Sequence, residues 1–111
     1  RTTVSLADAE ARFGKVDDPG LREREADLVL IVDTYHHIDD RVAYFTRLRE
    51  GVAKKGRLVI VDFRADRDTP VGPPRDHRLP VAQVRDELAQ AGWTVVSEPD
   101  ILPHQYVVVL R

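Results

Sequence analysis

Neither cysteine nor methionine occurs among the 111 residues. Without cysteine there can be no disulfide framework and no thiolate-ligated metal, which removes zinc ribbons, iron-sulfur proteins and disulfide-stapled scaffolds from consideration. A chain that starts at Arg1 and holds no methionine is expected to have lost its N-terminus, so the lack of a leader pattern leaves the compartment open; the cytoplasm is the expected one. No apolar run reaches membrane-spanning length, and no membrane is expected as a partner. Charge of a single sign is lacking too: 17 Lys+Arg against 19 Asp+Glu give a formal charge of -2, so no nucleic acid is expected as a partner. Ser-His-Asp, P-loop and Gly-x-Gly-x-x-Gly arrangements are all absent. With 42% hydrophobic and 32% charged residues, the composition fits one globular domain over residues 1–111, with a modest core.

The stretch from Leu28 to Val32 is an unbroken leucine and β-branched run, too short for a helix and without the alternation of a half-exposed strand, so it reads as a strand covered on both faces. Asp39 or Asp40 is placed to cap a following helix with an apolar stripe of Val42, Phe45, Leu48 and Val52, ended by Lys54-Lys55-Gly56. Arg57 to Phe63 is a second buried strand. Strand, amphipathic helix and strand in this order predict a right-handed parallel crossover. The proline-rich segment Arg64 to Arg78 is a loop long enough to serve a function. Pro80 opens a helix with Val81, Val84, Leu88 and Ala91 on one face and Gly92 at its end. Trp93–Ser97 and Gln105–Leu110 complete the strands, and the connector between them is too short for a crossover helix, so the last strand runs antiparallel to its predecessor. Upstream, a helix from Ser5 carrying Leu6, Ala9 and Phe13 competes with a short strand over Ala11–Val16, before a turn at Asp17-Asp18-Pro19-Gly20.

Open α/β sheets keep their ligand crevice at the carboxyl ends of the strands. An antiparallel last strand begins at that same edge, so His104, Gln105 and Tyr106 join Asp33 to His37 and Asp62 to Arg64 there, with His77 on the nearby loop. All four histidines fall in this set. His36-His37 could act as base or bind metal, but adjacent side chains diverge and no His-x-x-x-His spacing completes a metal site; packing or helix capping is the plainer use. Asp33 either holds a ligand's ammonium or hydroxyl or bonds backbone amides in a turn. His77 is a base or a surface residue. Tyr35 faces a substrate or covers the core. Arg64, Arg67 and Arg75 look like a basic lip and read as solvated loop charge.

Taken together, Asp17-Asp18-Pro19-Gly20-Leu21, the run Ala26 to His37, Gly56 to Phe63, Gly72-Pro73-Pro74 with His77-Arg78-Leu79, Ala91-Gly92-Trp93 and Leu102 to Tyr106 resemble the class I S-adenosylmethionine-dependent methyltransferases of small-molecule type, from about Gly14 onward. The resemblance implies an α/β fold, a partial Rossmann-like three-layer sheet, mostly parallel with the last strand antiparallel, in which these segments are the fourth to seventh strands. It implies S-adenosylmethionine as cofactor, with Gly14 and Asp17 near the adenine and Asp33 and Thr34 near the methionine part. Tyr35, His36 and His77 would serve a small-molecule methyl acceptor as catalytic residues, with His104 facing the same pocket. The family's glycine-rich first turn and the acid ending its second strand have no counterpart here. The first strand of that fold would pair with Leu28–Val32; without it this strand becomes an exposed edge, with a homodimer as one expected outcome, and residues 1–20 are expected to be poorly ordered. Two other functions stay open: a non-catalytic module acting in dimerisation or partner binding through that edge, and a histidine-based metal hydrolase.

Overall fold

The computed structural model describes residues 21–24 and 26–111. Expectations that fall on residues 1–20, among them the helix from Ser5, the rival strand, the ordering of the segment, and Gly14 and Asp17, lie outside the described residues.

Among the described residues, the strands and α-helices follow in the order β1 (Ala26–Val32), α1 (Arg41–Gly51), β2 (Val52–Phe63), α2 (Val81–Gln90), β3 (Val95–Ser97) and β4 (Gln105–Leu110). The sheet order is β1-β2-β4-β3. β1 and β2 pair in parallel, with Leu30 opposite Val59 and Val32 opposite Val61. β4 is antiparallel to both its neighbours, so three strands run one way and the last runs against them. Beyond β3, Thr94 and Arg111 exchange both backbone bonds, 2.8 and 2.9 Å.

Both helices lie on one face of the sheet. Phe45 and Leu48 of α1 and Val84 and Leu88 of α2 enclose a core with Leu58, Ile60, Val108 and Leu110, the residues of β2 and β4 that alternate towards that face. Trp93 closes the far end, its indole N–H donating to the Phe45 carbonyl at 2.9 Å.

Several sequence expectations are corrected. β1 is covered on one face only: Val29 and Ile31 pack on the core, whereas Leu28, Leu30 and Val32 are 51%, 58% and 45% exposed. Continuous apolar character signals burial on two faces in a complete parallel sheet, but both described helices sit on the same side. Neither aspartate caps α1 by its side chain; Asp40 takes a left-handed conformation (φ 45°), and its backbone carbonyl accepts the Tyr44 N–H. Lys54-Lys55-Gly56 does not stop the helix, because α1 ends at Gly51 and β2 has already begun at Val52. Pro80 precedes the first turn of α2 rather than entering it, and β3 is shorter than expected, starting at Val95.

Candidate active site

Parallel, in-register pairing makes β1 and β2 end side by side, and β4 enters at the same edge with Gln105 opposite Phe63. The residues immediately beyond these ends are thereby gathered. The Asp33 N–H donates to the Val61 carbonyl at 2.8 Å, extending the ladder one residue past β1. Asp33 then turns the chain with φ 55°, a left-handed conformation that aspartate adopts more readily than most residues. Its Oδ1 accepts from the Gln105 side-chain amide at 2.6 Å, which ties the exit of β1 to the entry of β4 across the end of β2. The Thr34 hydroxyl donates to the Val32 carbonyl at 2.6 Å, leaving its lone pairs open to solvent.

A single 3₁₀ turn, Tyr35–His37, comes next. Tyr35 points inward and is fully buried. Its ring lies 5.2 Å from that of Phe45, and its hydroxyl donates to Glu87 Oε1 of α2 at 2.8 Å. Burial above all, then the bond to Glu87, pushes the phenol pKa far above 10.0. The sequence left Tyr35 between a substrate-facing and a core role. The structure gives it the core position and the anchoring of the turn that carries His36.

His36 faces the other way. Its Nδ1 lies 2.8 Å from Asp62 Oδ2, and the two side chains are 7% and 3% exposed. The second oxygen, Oδ1, accepts the Phe63 N–H at 2.8 Å. A carboxylate only accepts, so Nδ1 carries the proton of the neutral imidazole and Nε2 keeps its lone pair. The contact fixes the orientation of the ring and leaves Nε2 as an acceptor. The rings of His36 and His37 do not diverge; their centroids are 4.0 Å apart, because a tight turn stacks consecutive side chains more closely than an extended chain does.

The remaining candidates stand further out. His77 is exposed in a second 3₁₀ turn, Arg75–His77, and its imidazole makes no hydrogen bond among the described residues. His104 is half-buried, and its carbonyl accepts the Arg64 N–H at 3.1 Å. The arginine lip is occupied with the loop itself: Arg64 meets Asp66 at 3.3 Å and Arg75 donates to the Ala65 carbonyl at 3.0 Å. Among the described residues no group of three or more His, Cys, Asp or Glu side chains is placed to hold a metal ion.

Two supporting features escaped the sequence reading. Glu87 receives Arg41 in a two-pronged contact (2.7 and 2.9 Å) as well as Tyr35, pinning α2 to the start of α1 beneath the turn. Arg78 gathers the loop after β2 around itself. Glu87 had no sequence signal beyond its charge, and Arg78 stood out only as part of the His77-Arg78-Leu79 stretch, with no role attached. Asp62 could have been paired with its neighbour strand by register, since Val61 lies opposite Val32, but nothing local says which histidine turns back to it. A groove of about 1110 Å³ opens at the opposite edge of the sheet, between Arg49, Lys54, Trp93 and Arg111. No histidine is among the described residues that line it, and the His36–Asp62 pair lies at the other edge.

The fold so built is the Rossmann-like fold found in S-adenosylmethionine-dependent methyltransferases of known structure. A methyltransferase from Aquifex aeolicus superposes with a TM-score of 0.83 at 18% identity, over 91% of this chain and 53% of its own. An O-methyltransferase of neocarzinostatin biosynthesis, solved with S-adenosyl-L-homocysteine and 1,4-dihydroxy-2-naphthoic acid, gives 0.68 at 22%, over 87% and 32%. The 1,6-didemethyltoxoflavin-N1-methyltransferase of Burkholderia thailandensis, with didemethyltoxoflavin and S-adenosylhomocysteine bound, gives 0.61 at 21%, over 80% and 44%. The chain thus spans about half the length, or less, of these solved structures. No family model and no curated protein matches the sequence.

Proposed function

We propose that this chain forms the acceptor side of an S-adenosylmethionine-dependent methyltransferase whose substrate is a small molecule, in a cytoplasmic setting. One observation carries the reading: at the carboxyl edge of a sheet with the methyltransferase strand order, an acid-oriented imidazole, His36 on Asp62, stands beside a carboxylate, Asp33, whose only side-chain donor among the described residues is a neutral amide. Asp33 makes no ion pair among the described residues, so its charge stays available to a cation, which fits the ammonium of the cofactor's methionine part. The Thr34 oxygen is a second acceptor there. The cofactor supplies an electrophilic methyl group whose transfer needs mainly alignment. His36 Nε2 would take the proton of a hydroxyl or amine acceptor as its oxygen or nitrogen attacks. Asp62 holds the imidazole in line and steadies the cation formed. Tyr35 acts from beneath as anchor, and His77, on the exposed loop, is the second candidate on the acceptor side. Gly14 and Asp17, proposed beside the adenine, lie outside the described residues.

Titration calorimetry with S-adenosylmethionine and S-adenosylhomocysteine, on this chain and on any longer form of the same reading frame, tests the proposal. Micromolar binding that weakens in Asp33→Asn is the expected result. Absence of binding in every form removes the enzyme reading.

A second reading has its own observation. β1 lies at the edge of the sheet and shows Leu28, Leu30 and Val32 to solvent, as a module associating with a second copy would. Sedimentation separates the two, since this reading requires a dimer at micromolar concentration and no affinity for the cofactor.

A further inference from the structure

Between β2 and α2 the chain makes a long polar excursion that returns on itself at Arg78. This arginine is only 9% exposed and forms no salt bridge among the described residues. Its guanidinium is satisfied by backbone alone. Nε donates to the Pro73 carbonyl at 2.9 Å, Nη1 to those of Arg64 and Arg67 at 3.1 and 3.4 Å, and Nη2 reaches that of Val71 at 3.5 Å. Two of these carbonyls come from the outgoing arm of the loop and two from the returning arm, so one planar fork holds both. A lysine ammonium, a point donor on a flexible stem, cannot span them.

The same guanidinium lies 5.3 Å from the centre of the Phe63 ring. Gly72, with φ +101°, rests against that ring so closely that a Cβ there would meet Phe63 Cδ1 at 2.8 Å. Phe63 is therefore packed against both Arg78 and Gly72. It is also the residue whose N–H fixes Asp62 Oδ1, while Asp62 Oδ2 holds His36.

We propose that Arg78 is a positioning residue: it builds Arg64–His77 into a fixed wall of the acceptor crevice and, through Phe63, keeps Asp62 and His36 in line. The wall is assembled by the chain's own carbonyls, so an acceptor is selected by fitting a surface already in place, not by drawing a loop shut. The assignment of this crevice to an acceptor rests on the methyltransferase reading; the packing itself does not, and neither measurement below uses the cofactor.

Cleavage by an aspartate-directed endoprotease reads the wall, through the bonds before Asp66, Asp68 and Asp76, with the bond before Asp86 in α2 as internal reference. The proton-detected NMR signal of the His36 Nδ1–H reads the alignment. In Arg78→Lys, cleavage in the loop should rise about tenfold, the factor produced by losing roughly 1.4 kcal/mol of local opening free energy, while cleavage at Asp86 stays as in the wild type. The His36 signal should broaden into exchange with water. In Arg78→Gly, millimolar guanidinium should restore both readouts and ethylammonium neither. Gly72→Ala, which displaces the loop from Phe63 with Arg78 intact, should reproduce both losses and serves if the arginine variants fail to fold. Loop cleavage and a His36 signal unchanged in Arg78→Lys and Gly72→Ala would overturn the proposal, as would cleavage that rises equally at Asp86.

Discussion

Glu87 shows how a half-buried carboxylate can hold a turn in place through one of its residues, since it accepts the Tyr35 hydroxyl at 2.8 Å while His36 faces Asp62. Arg41 above all, then Tyr35 and Gln83, hold its carboxyl below the ordinary value of 4.5 against the opposing effect of burial. A depressed folded-state pKa gives stability that is complete above the unfolded value and lost as pH falls through the folded one. Thermal unfolding followed downward from about pH 5 to pH 3 should therefore show an acid loss that is smaller in Glu87→Gln, and the variant should be less stable at neutral pH by about 2 kcal/mol, from the charge-assisted bonds removed. At the site itself, His36→Asn should lower kcat/KM for a hydroxyl acceptor by about 10²–10⁴ while leaving cofactor affinity unchanged. Asp62→Asn should act in the same direction, because an amide facing Nδ1 admits the tautomer in which Nε2 carries the proton and is no longer a base. Much of this scale was readable in advance. The edge that would hold Asp33, Asp62, Gln105 and the histidines follows from strand direction alone. That Tyr35 turns into the core and His36 towards Asp62 does not, since both are chemically suited to either place, and a one-turn helix decides it.

Element boundaries reveal what glycine is for in this chain. Gly92 ends α2 with φ +92°, as a residue placed after an apolar stripe predicts. Gly92→Ala should lower stability by about 1–2 kcal/mol, the penalty for a side chain in left-handed conformation, measurable as a reduced midpoint in urea with an unchanged slope. Gly56 looked like a second stop and is not one. It lies within β2, where pairing with β1 slips from Ala26↔Val52 to Leu28↔Arg57, and a Cβ there would meet the Asp27 carbonyl at 2.9 Å. The glycine permits two backbones to approach at an irregularity. Sequence shows that a glycine is needed and leaves open whether a turn or a close contact needs it. The helix end at Gly51 was hidden for a related reason: Val52 completes the apolar stripe of α1 and also begins a strand, and only the partner strand settles which one claims it.

At the level of the molecule, the sheet has one clothed face and one face bare along β1. Leu30, the most exposed residue of that strand's bare face at 58%, tests its role. Leu30→Lys should leave the unfolding free energy within about 0.5 kcal/mol, since little apolar area is lost from water. It should also abolish any concentration-dependent association seen by sedimentation; persistent association in the variant would place the contact elsewhere. Among the described residues, no helix is long and apolar enough to cross a membrane.

The sequence by itself determined the order of strands and helices, the reversal of β4 and the edge at which the polar groups meet. Periodicity, connector length and turn chemistry are local, and each has one inexpensive solution. The tertiary structure alone decided which ring of the Tyr35–His37 turn meets Asp62, which charges are spent on scaffolding at Glu87 and Arg78, and which face of β1 is left uncovered. Those outcomes depend on groups far apart in the chain competing for the same partners, and that competition is resolved only when the elements pack.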